Sequence, residues 1–224
     1  MAYILSIETA TTTCSVAIHN NNNLLACQSL HFDKSHSGYL AILIKEIVNN
    51  CGLSMSDLDA IAISGGPGSY TGLRIGTSTA KGLAYSLQIP LISVNTLEAL
   101  ARQIPIYGDI LLCPMLDARR MEVYNMLLKS DYSVIQSTEA IVINESSYDD
   151  YLKENLIVFF GSGANKTREV IKNKNANFII DIFPSASSIG DIAYQKFINQ
   201  LFEDVAYYEP FYLKDFMPSK PKAS

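Results

Sequence analysis

The chain opens on an apolar run, Tyr3-Ile-Leu-Ser-Ile7, that ends at a charged residue, Glu8. Two more apolar runs, over 14–18 and 24–30, read as strands. The asparagines Asn20 to Asn23 join them, and Asn tolerates the positive φ of a tight turn. Three meandering strands are therefore expected before the first helix. In that helix Tyr39, Leu40, Leu43, Ile44, Ile47, Val48 and Cys51 recur at helical spacing and define one wide apolar face. Ile42 falls outside the face, Ser35 or Ser37 is the N-cap, and Gly52 is the stop.

A strand over 60–64 comes next, then a glycine-rich turn, Gly65-Gly-Pro-Gly-Ser-Tyr-Thr-Gly72, then a second helix. This helix carries Gly72, Gly76, Thr79, Ala80 and Leu83 at helical spacing, a small-residue face that permits close approach of another helix. A strand over 90–94 and a helix over 96–103 complete a first lobe, and Pro105 and Gly108 punctuate its end. The second half starts with a strand over 110–116 and a hairpin-like pair over 122–129 and 133–137. A buried strand over 156–160 ends in Gly161-Ser-Gly163, and helices over 166–173 and 188–202 flank a strand over 177–180. The second half echoes the first: strands, then alternating strand and helix. Expected units are 1–104, 105–205 and an aromatic, then Pro- and Lys-rich tail, 206–224, packed along the surface and fraying at its end.

A length of 224 residues suffices for one large or two small domains with a substantial core. The net charge of −5 argues against a large nonspecific nucleic-acid surface, which needs Lys and Arg to neutralise phosphates. Lys214, Lys220 and Lys222 near the C-terminus read as a solvated tail. The cysteines Cys14, Cys27, Cys51 and Cys113 form no C-x-x-C pair and lie mostly in apolar runs, as reduced, buried thiols of a cytosolic protein do. No run approaches the ~20 apolar residues that span a bilayer, so a soluble cytoplasmic protein without a membrane role is expected.

The glycine turn has two readings. Glycines and a helix N-terminus make a ready phosphate site. The same glycines also serve a tight strand-to-helix turn, through geometry and packing. A P-loop would close with Gly-Lys-Ser/Thr, whereas Gly72 precedes Leu73 and Arg74, and no cation takes the place of that lysine. For the chain acting alone the packing role is preferred. Ser64 and Ser69 lack a G-x-S-x-G context, and no nucleophile–base order is evident for a peptidase. His19, His31 and His36 share no single face, so they are expected to be exposed or hydrogen-bonded histidines rather than metal ligands.

Three strands followed by alternating units, occurring twice, is the plan of the actin-like ATPase (ribonuclease H-like) fold. It is α/β and two-lobed, each lobe a mixed sheet flanked by helices. The motifs Ile7-Glu-Thr-Ala-Thr-Thr12, Gly65-Gly-Pro-Gly-Ser-Tyr-Thr-Gly-Leu-Arg-Ile-Gly76, Ser93-Val-Asn-Thr-Leu-Glu98 and Asp117-Ala-Arg-Arg-Met-Glu-Val-Tyr124, in this order, resemble the TsaB (YeaZ) family. The resemblance is strong to about residue 125 and thereafter rests on Gly161-Ser-Gly163 and overall length.

It implies a noncatalytic partner of TsaD, the subunit that transfers threonylcarbamoyl to an adenosine beside the tRNA anticodon. A TsaE-like ATPase joins the assembly, and the acidic balance leaves tRNA mainly to the partner. Catalytic relatives hold a metal with two histidines; the corresponding positions here are Thr96 and Leu100, so no metal and no catalytic residue is expected. The TsaD contact is expected on the first two helices, at Tyr39, Ile42, Leu43, Glu46, Arg74, Ile75 and Thr79, and the chain alone is expected to homodimerise.

A residual nucleotide site would gather Glu8, Thr9, Gly66, Gly68, Ser69, Thr71, Gly72, Asp117, Arg119, Gly161 and Gly163. In that reading Glu8 and Asp117 pair across the cleft, with Arg119 and Arg120 beside Asp117. The alternative is a cleft-bridging ionic network without turnover. The chain requires no cofactor of its own, with weak ATP or ADP and magnesium confined to a degenerate cleft or the partner interface. Rival readings are an active ATP-dependent enzyme of the same fold, a glycoprotease-like peptidase, and a homodimeric binding module with no tRNA role.

Overall fold

The computed structural model describes residues 1–31 and 36–214, with His36 in its backbone alone. The expected N-cap Ser35 and the tail lysines Lys220 and Lys222 lie outside the described residues.

The first sheet begins with β1 (Tyr3–Glu8), β2 (Thr13–Asn20) and β3 (Asn23–His31), paired antiparallel in sequence. Asn21, in the turn between β2 and β3, takes a φ of 53°. After α1 (His36–Asn50), β4 (Ala60–Ser64) pairs parallel to β1. After α2 (Tyr70–Leu87), β5 (Leu91–Val94) pairs parallel to β4, and α3 (Thr96–Ala101) follows. The sheet order is β3-β2-β1-β4-β5.

The second half repeats this plan. β6 (Leu111–Asp117), β7 (Glu122–Lys129) and β8 (Val134–Val142) form an antiparallel meander. A short α4 (Asp149–Leu152) precedes β9 (Ile157–Phe160), which runs parallel to β6. Then α5 (Ala164–Val170) leads to β10 (Ala176–Ile179), parallel to β9, and α6 (Ile189–Ile198) follows. The order β10-β9-β6-β7-β8 mirrors the first sheet. α4 has no counterpart in the sequence reading, because a single turn is too short to show a helical period.

Strand alternation decides what covers each face. Leu5, Ile7, Ile61, Ile63 and Leu91 face α1, burying Leu40, Leu43, Ile44, Ile47 and Val48. Their neighbours Ile4, Ala60, Ala62, Ile92 and Val94 face the other way, against Ile189 and Ala193 of α6. Small residues line this second face, so α6 approaches closely. Gly190 has no room for a Cβ against the ring of His19. His19 is buried there, and its Nε2–H donates to Ser187 O (3.1 Å).

Two helices pack across the expected division at residue 104. α6, assigned by sequence order to the second lobe, packs on the first sheet. Conversely α3, assigned to the first, packs Leu97, Leu100 and Ala101 with Leu112, Leu116 and Phe160 of the second. Each half thus lends a helix to the other's sheet. The thiols also divide. Cys14 and Cys113 are buried and Cys51 half-buried, whereas Cys27 is exposed on β3, an edge strand with solvent on one face.

Candidate functional site

The glycine turn sits where β4 gives way to α2, and several of its polar groups bond within the chain itself. Gly65 N donates to Val94 O (2.8 Å), and Thr96 N donates to Gly66 O (2.9 Å), tying the turn to β5 and α3. Gly66 has a φ of 108°, and its peptide bond to Pro67 is cis. Ser69 is the N-cap of α2, its Oγ accepting from Gly72 N (3.3 Å). Ser69 N donates to Ala10 O (2.6 Å), so a carbonyl from the β1–β2 turn stands on the amide an anion would use. Thr9 Oγ1 donates to Gly72 O (2.8 Å), and both residues are buried. A Cβ on Gly68 would meet the Ala10 carbonyl, and one on Gly76 the Thr9 hydroxyl. Thr71 projects outward from the first turn of α2.

Beneath the turn lies a sealed polar node. Glu8 ends β1 with no exposed surface, and its Oε1 accepts from Ala10 N (2.6 Å). Its Oε2 has no partner among the described residues. Burial pushes the Glu8 carboxyl up to about 7, against the opposing pull of the Ala10 amide and the Ser64 hydroxyl. Ser64 Oγ and Thr96 Oγ1 share a buried hydrogen bond of 2.8 Å. Thr96 thus belongs to this node, and Leu100 to the hydrophobic core shared with the second sheet.

Asp117, at the matching end of β6, is half exposed and ion-paired with Lys166. Its Oδ1 accepts from Arg119 N (2.7 Å), and Ser162 Oγ accepts from Asp117 N (3.0 Å). Lys166 Nζ also donates to the carbonyls of Arg120 (2.8 Å) and Glu122 (2.6 Å), pinning the β6–β7 turn. The two carboxylates read as a pair across the cleft keep separate partners. Each carboxylate is engaged within its own half, and Glu8 is shut from solvent. Gly161, with a φ of 95°, would set a Cβ against Met115 O, and Gly163 would set one 2.9 Å from Val123. Both glycines are needed for close packing on β6. Among the described residues no three of His, Cys, Asp and Glu come together as metal ligands would.

The helical surface separates into core and exposed parts. Leu43, expected at the partner contact, is only 7% exposed and belongs to the core. The i, i+4 neighbours Tyr39 and Leu43 fall on different sides because the sheet covers only the stripe through Leu40, Leu43 and Ile47. Tyr39 and Ile42 are 46% and 49% exposed; Glu46 and Arg74 are exposed, and Ile75 and Thr79 half-buried.

Sequence reading missed the path of the tail. Glu203 N bonds Leu91 O (2.9 Å), and Lys81 Nζ holds the carbonyls of Ala206 (3.1 Å) and Tyr208 (3.0 Å). The Tyr208 hydroxyl shares a hydrogen bond with Ser93 Oγ (2.8 Å), and Phe211 N donates to Gly65 O (2.7 Å). The Tyr212 ring packs on Tyr70 at 4.8 Å, and Lys214 pairs with Glu122 of the second half. This strap covers the glycine turn and bounds a cavity of about 560 Å³ with α2, lined by Tyr70, Arg74, Thr77, Glu209, Tyr212 and Lys214. Its signal in the sequence is the cluster of aromatics Tyr207, Tyr208, Phe211 and Tyr212.

Comparison with known proteins agrees with this architecture. The family model described as TsaD, tRNA N6-adenosine threonylcarbamoyltransferase, matches residues 31–215. The TsaB protein of Bacillus subtilis is 31% identical over 175 residues, 76% of this chain and 75% of that one. The TsaB protein of Escherichia coli is 30% identical, covering 95% of this chain and 94% of its own. A Pseudomonas aeruginosa structure described as similar to peptidase YEAZ superposes with a TM-score of 0.85 at 23% identity, covering 96% of this chain and all of that one. The activator of 2-hydroxyisocaproyl-CoA dehydratase from Clostridium difficile, solved with ADPNP, shares the fold at a TM-score of 0.50 and 9% identity, covering 91% of this chain and 98% of its own. With its two mirrored mixed sheets, this chain belongs to the TsaB family of tRNA threonylcarbamoyladenosine biosynthesis proteins.

Proposed function

We propose that the chain is a noncatalytic subunit of a tRNA threonylcarbamoyladenosine synthesis complex. In this role it binds a TsaD-like catalytic subunit and supports its transfer reaction. The observation that carries the reading is the closed glycine turn. The Ala10 carbonyl takes the Ser69 amide, the strap takes the Gly65 carbonyl, and Glu8, Ser64 and Thr96 are buried beneath it.

The described residues do not fit a nucleotide–magnesium site within this chain. Glu8 has no exposed surface, and Asp117 is neutralised by Lys166. Any weak ATP or ADP binding therefore belongs at the partner interface. A peptidase is equally ill-served, since Ser64 is buried and bonded to Thr96 rather than to a base.

The partner contact is assigned to Tyr39, Ile42, Glu46, Arg74, Ile75 and Thr79 on α1 and α2. Exposed Tyr39 and Ile42 on α1, beside half-buried Ile75 on α2, suit a helical interface, of the order of ~1,600 Å² in total. The same surface would pair two copies when the partner is absent. A TsaE-like ATPase joins the assembly, and tRNA is held mainly by the partner. No helix among the described residues is long and apolar enough to cross a membrane, which accords with work in the cytoplasm.

The test is reconstituted tRNA threonylcarbamoylation with the adenylate donor supplied. This chain, its TsaD-like subunit, and both with the ATPase subunit are compared. Activity confined to the combined sample supports the reading; activity from this chain alone overturns it.

A further inference from the structure

The β6–β7 turn has a property that its packing does not require. Arg119 and Arg120 both take positive φ, 72° and 49°. L-residues with side chains avoid this region, and Gly or Asn would adopt it with less strain. Both arginines are exposed, and neither guanidinium has a hydrogen-bond or ion-pair partner among the described residues. The backbone beneath them is nevertheless held firmly. Asp117 accepts the Arg119 amide, and Lys166 holds the Arg120 and Glu122 carbonyls. Two cations are thus displayed on a rigid, conformationally costly turn.

The surroundings extend the same chemistry. The carboxylates of Asp117 and Glu122 are each taken by a lysine, Lys166 and Lys214, leaving the arginines uncompensated. Lys214 also lines the cavity between α2 and the strap. Lys214 pairs with Glu122, whose amide donates to Arg119 O (3.1 Å), so the arginine turn adjoins the Lys214 end of the cavity. Inside, Tyr70 and Tyr212 pack ring against ring, their centroids 4.8 Å apart. Thr77 Oγ1, buried at the cavity wall, has no partner among the described residues. Cations interleaved with aromatic rings are what a single strand of RNA needs, the cations for phosphate and the rings for bases. That such a spot occurs on a chain of net charge −5 marks it as local rather than a general basic surface.

We propose that the Arg119–Arg120 turn and the adjoining α2–strap cavity form a direct contact for the single-stranded part of an RNA substrate. The guanidiniums take backbone phosphate and the Tyr70–Tyr212 wall takes a base. The inference rests on the tRNA-biosynthesis reading above. It adds that this chain, and not its partner alone, touches the RNA.

The test uses the full chain in complex with its TsaD-like subunit. A fluorescent stem-loop RNA with a single-stranded loop is titrated by anisotropy over a range of salt concentrations. R119E/R120E is expected to weaken binding about tenfold or more and to lower the salt slope by about 1 for each phosphate no longer neutralised. A second variant, R119N/R120G, suits the positive φ of both positions. It is expected to raise the melting temperature and still weaken RNA binding, a combination that a purely structural role would not produce. Wild-type RNA affinity and salt slope in both variants would overturn the inference. Reconstituted modification by the wild-type mixture is run alongside. If modification proceeds while the RNA titration is unmoved, this inference alone falls; if the wild-type mixture makes no product, the underlying functional reading falls and the inference with it.

Discussion

Thr96 Oγ1 lies 2.8 Å from Ser64 Oγ, joining the first residue of α3 to the last of β4 beneath the glycine turn. Both hydroxyls are shut from solvent; Thr96 bonds Ser64, and Ser64 also acts on the Glu8 carboxyl. Thr96→Val keeps the shape and removes one partner. It is expected to cost about 0.5–1.5 kcal/mol in urea unfolding, the net worth of one buried hydrogen bond. Modification by the reconstituted complex should be retained. Loss of modification at unchanged stability would assign Thr96 a chemical role.

Glu8 makes stability depend on pH. Its carboxyl is pushed from 4.5 to about 7 in the folded chain by burial. Between these values the folded chain keeps a proton that the unfolded chain has released, so stability falls as pH rises from about 4.5 to about 7 and then levels. That interval corresponds to at most about 3 kcal/mol. Glu8→Gln should remove this slope and leave the variant more stable than wild type at pH 8, measured by chemical denaturation across the range. A variant with an undiminished slope would place the titration elsewhere.

Gly68 and Gly82 should respond oppositely to alanine. A Cβ on Gly68 meets the backbone carbonyl of Ala10, which cannot move without displacing the β1–β2 turn. Gly68→Ala is expected to cost about 1–3 kcal/mol or more. Gly82 sits exposed in α2 with nothing within 4 Å of its added Cβ, so Gly82→Ala should stabilise by about 0.5–1 kcal/mol. Equal thermal shifts in the two variants would contradict this account of the turn.

Neighbouring residues of α1 should separate binding from folding. Ile42 is 49% exposed and Leu43 only 7%. Ile42→Asp should change stability by less than about 0.5 kcal/mol, while weakening the TsaD-like partner by more than about tenfold, as loss of an interface anchor does. Leu43→Ala should cost about 2–5 kcal/mol through the cavity it leaves. Unchanged partner affinity for Ile42→Asp in a calorimetric titration would remove α1 from the interface.

The strap supplies a further check. Tyr208, whose hydroxyl is pushed up to about 12 by burial, stays protonated at neutral pH and keeps its hydrogen bond with Ser93. Tyr208→Phe should cost about 1 kcal/mol. Deleting residues from 206 onward should cost more and open the N-terminal end of α2 to proteolysis, because the Phe211–Gly65 and Lys81 bonds go together. A truncated chain with wild-type melting and protection would show that the strap contributes nothing to the turn beneath it.

Much of this molecule is written locally. Alternation and helical spacing specify the two meanders, the parallel strands after them and most helices. Glycines and Asn21 mark the turns, because backbone conformation there depends on the residue itself. The motifs at Glu8, Gly65–Gly76 and Asp117 identify the family for the same reason: they are contiguous. Long-range packing settles the rest. Spacing places Leu43 and Tyr39 on one apolar face, but the width of the sheet beneath α1 buries one and leaves the other in solvent. A strand pattern shows that Ile4 and Leu5 point to opposite faces, yet not that α6, far along the chain, arrives to cover Ile4. Nor can a charged residue at a strand end announce that Ala10, Ser64 and Thr96 will close over it, or that the strap will reach Gly65. Those outcomes depend on which surfaces meet once the two sheets exchange helices, and burial, charge state and exposure follow from that meeting.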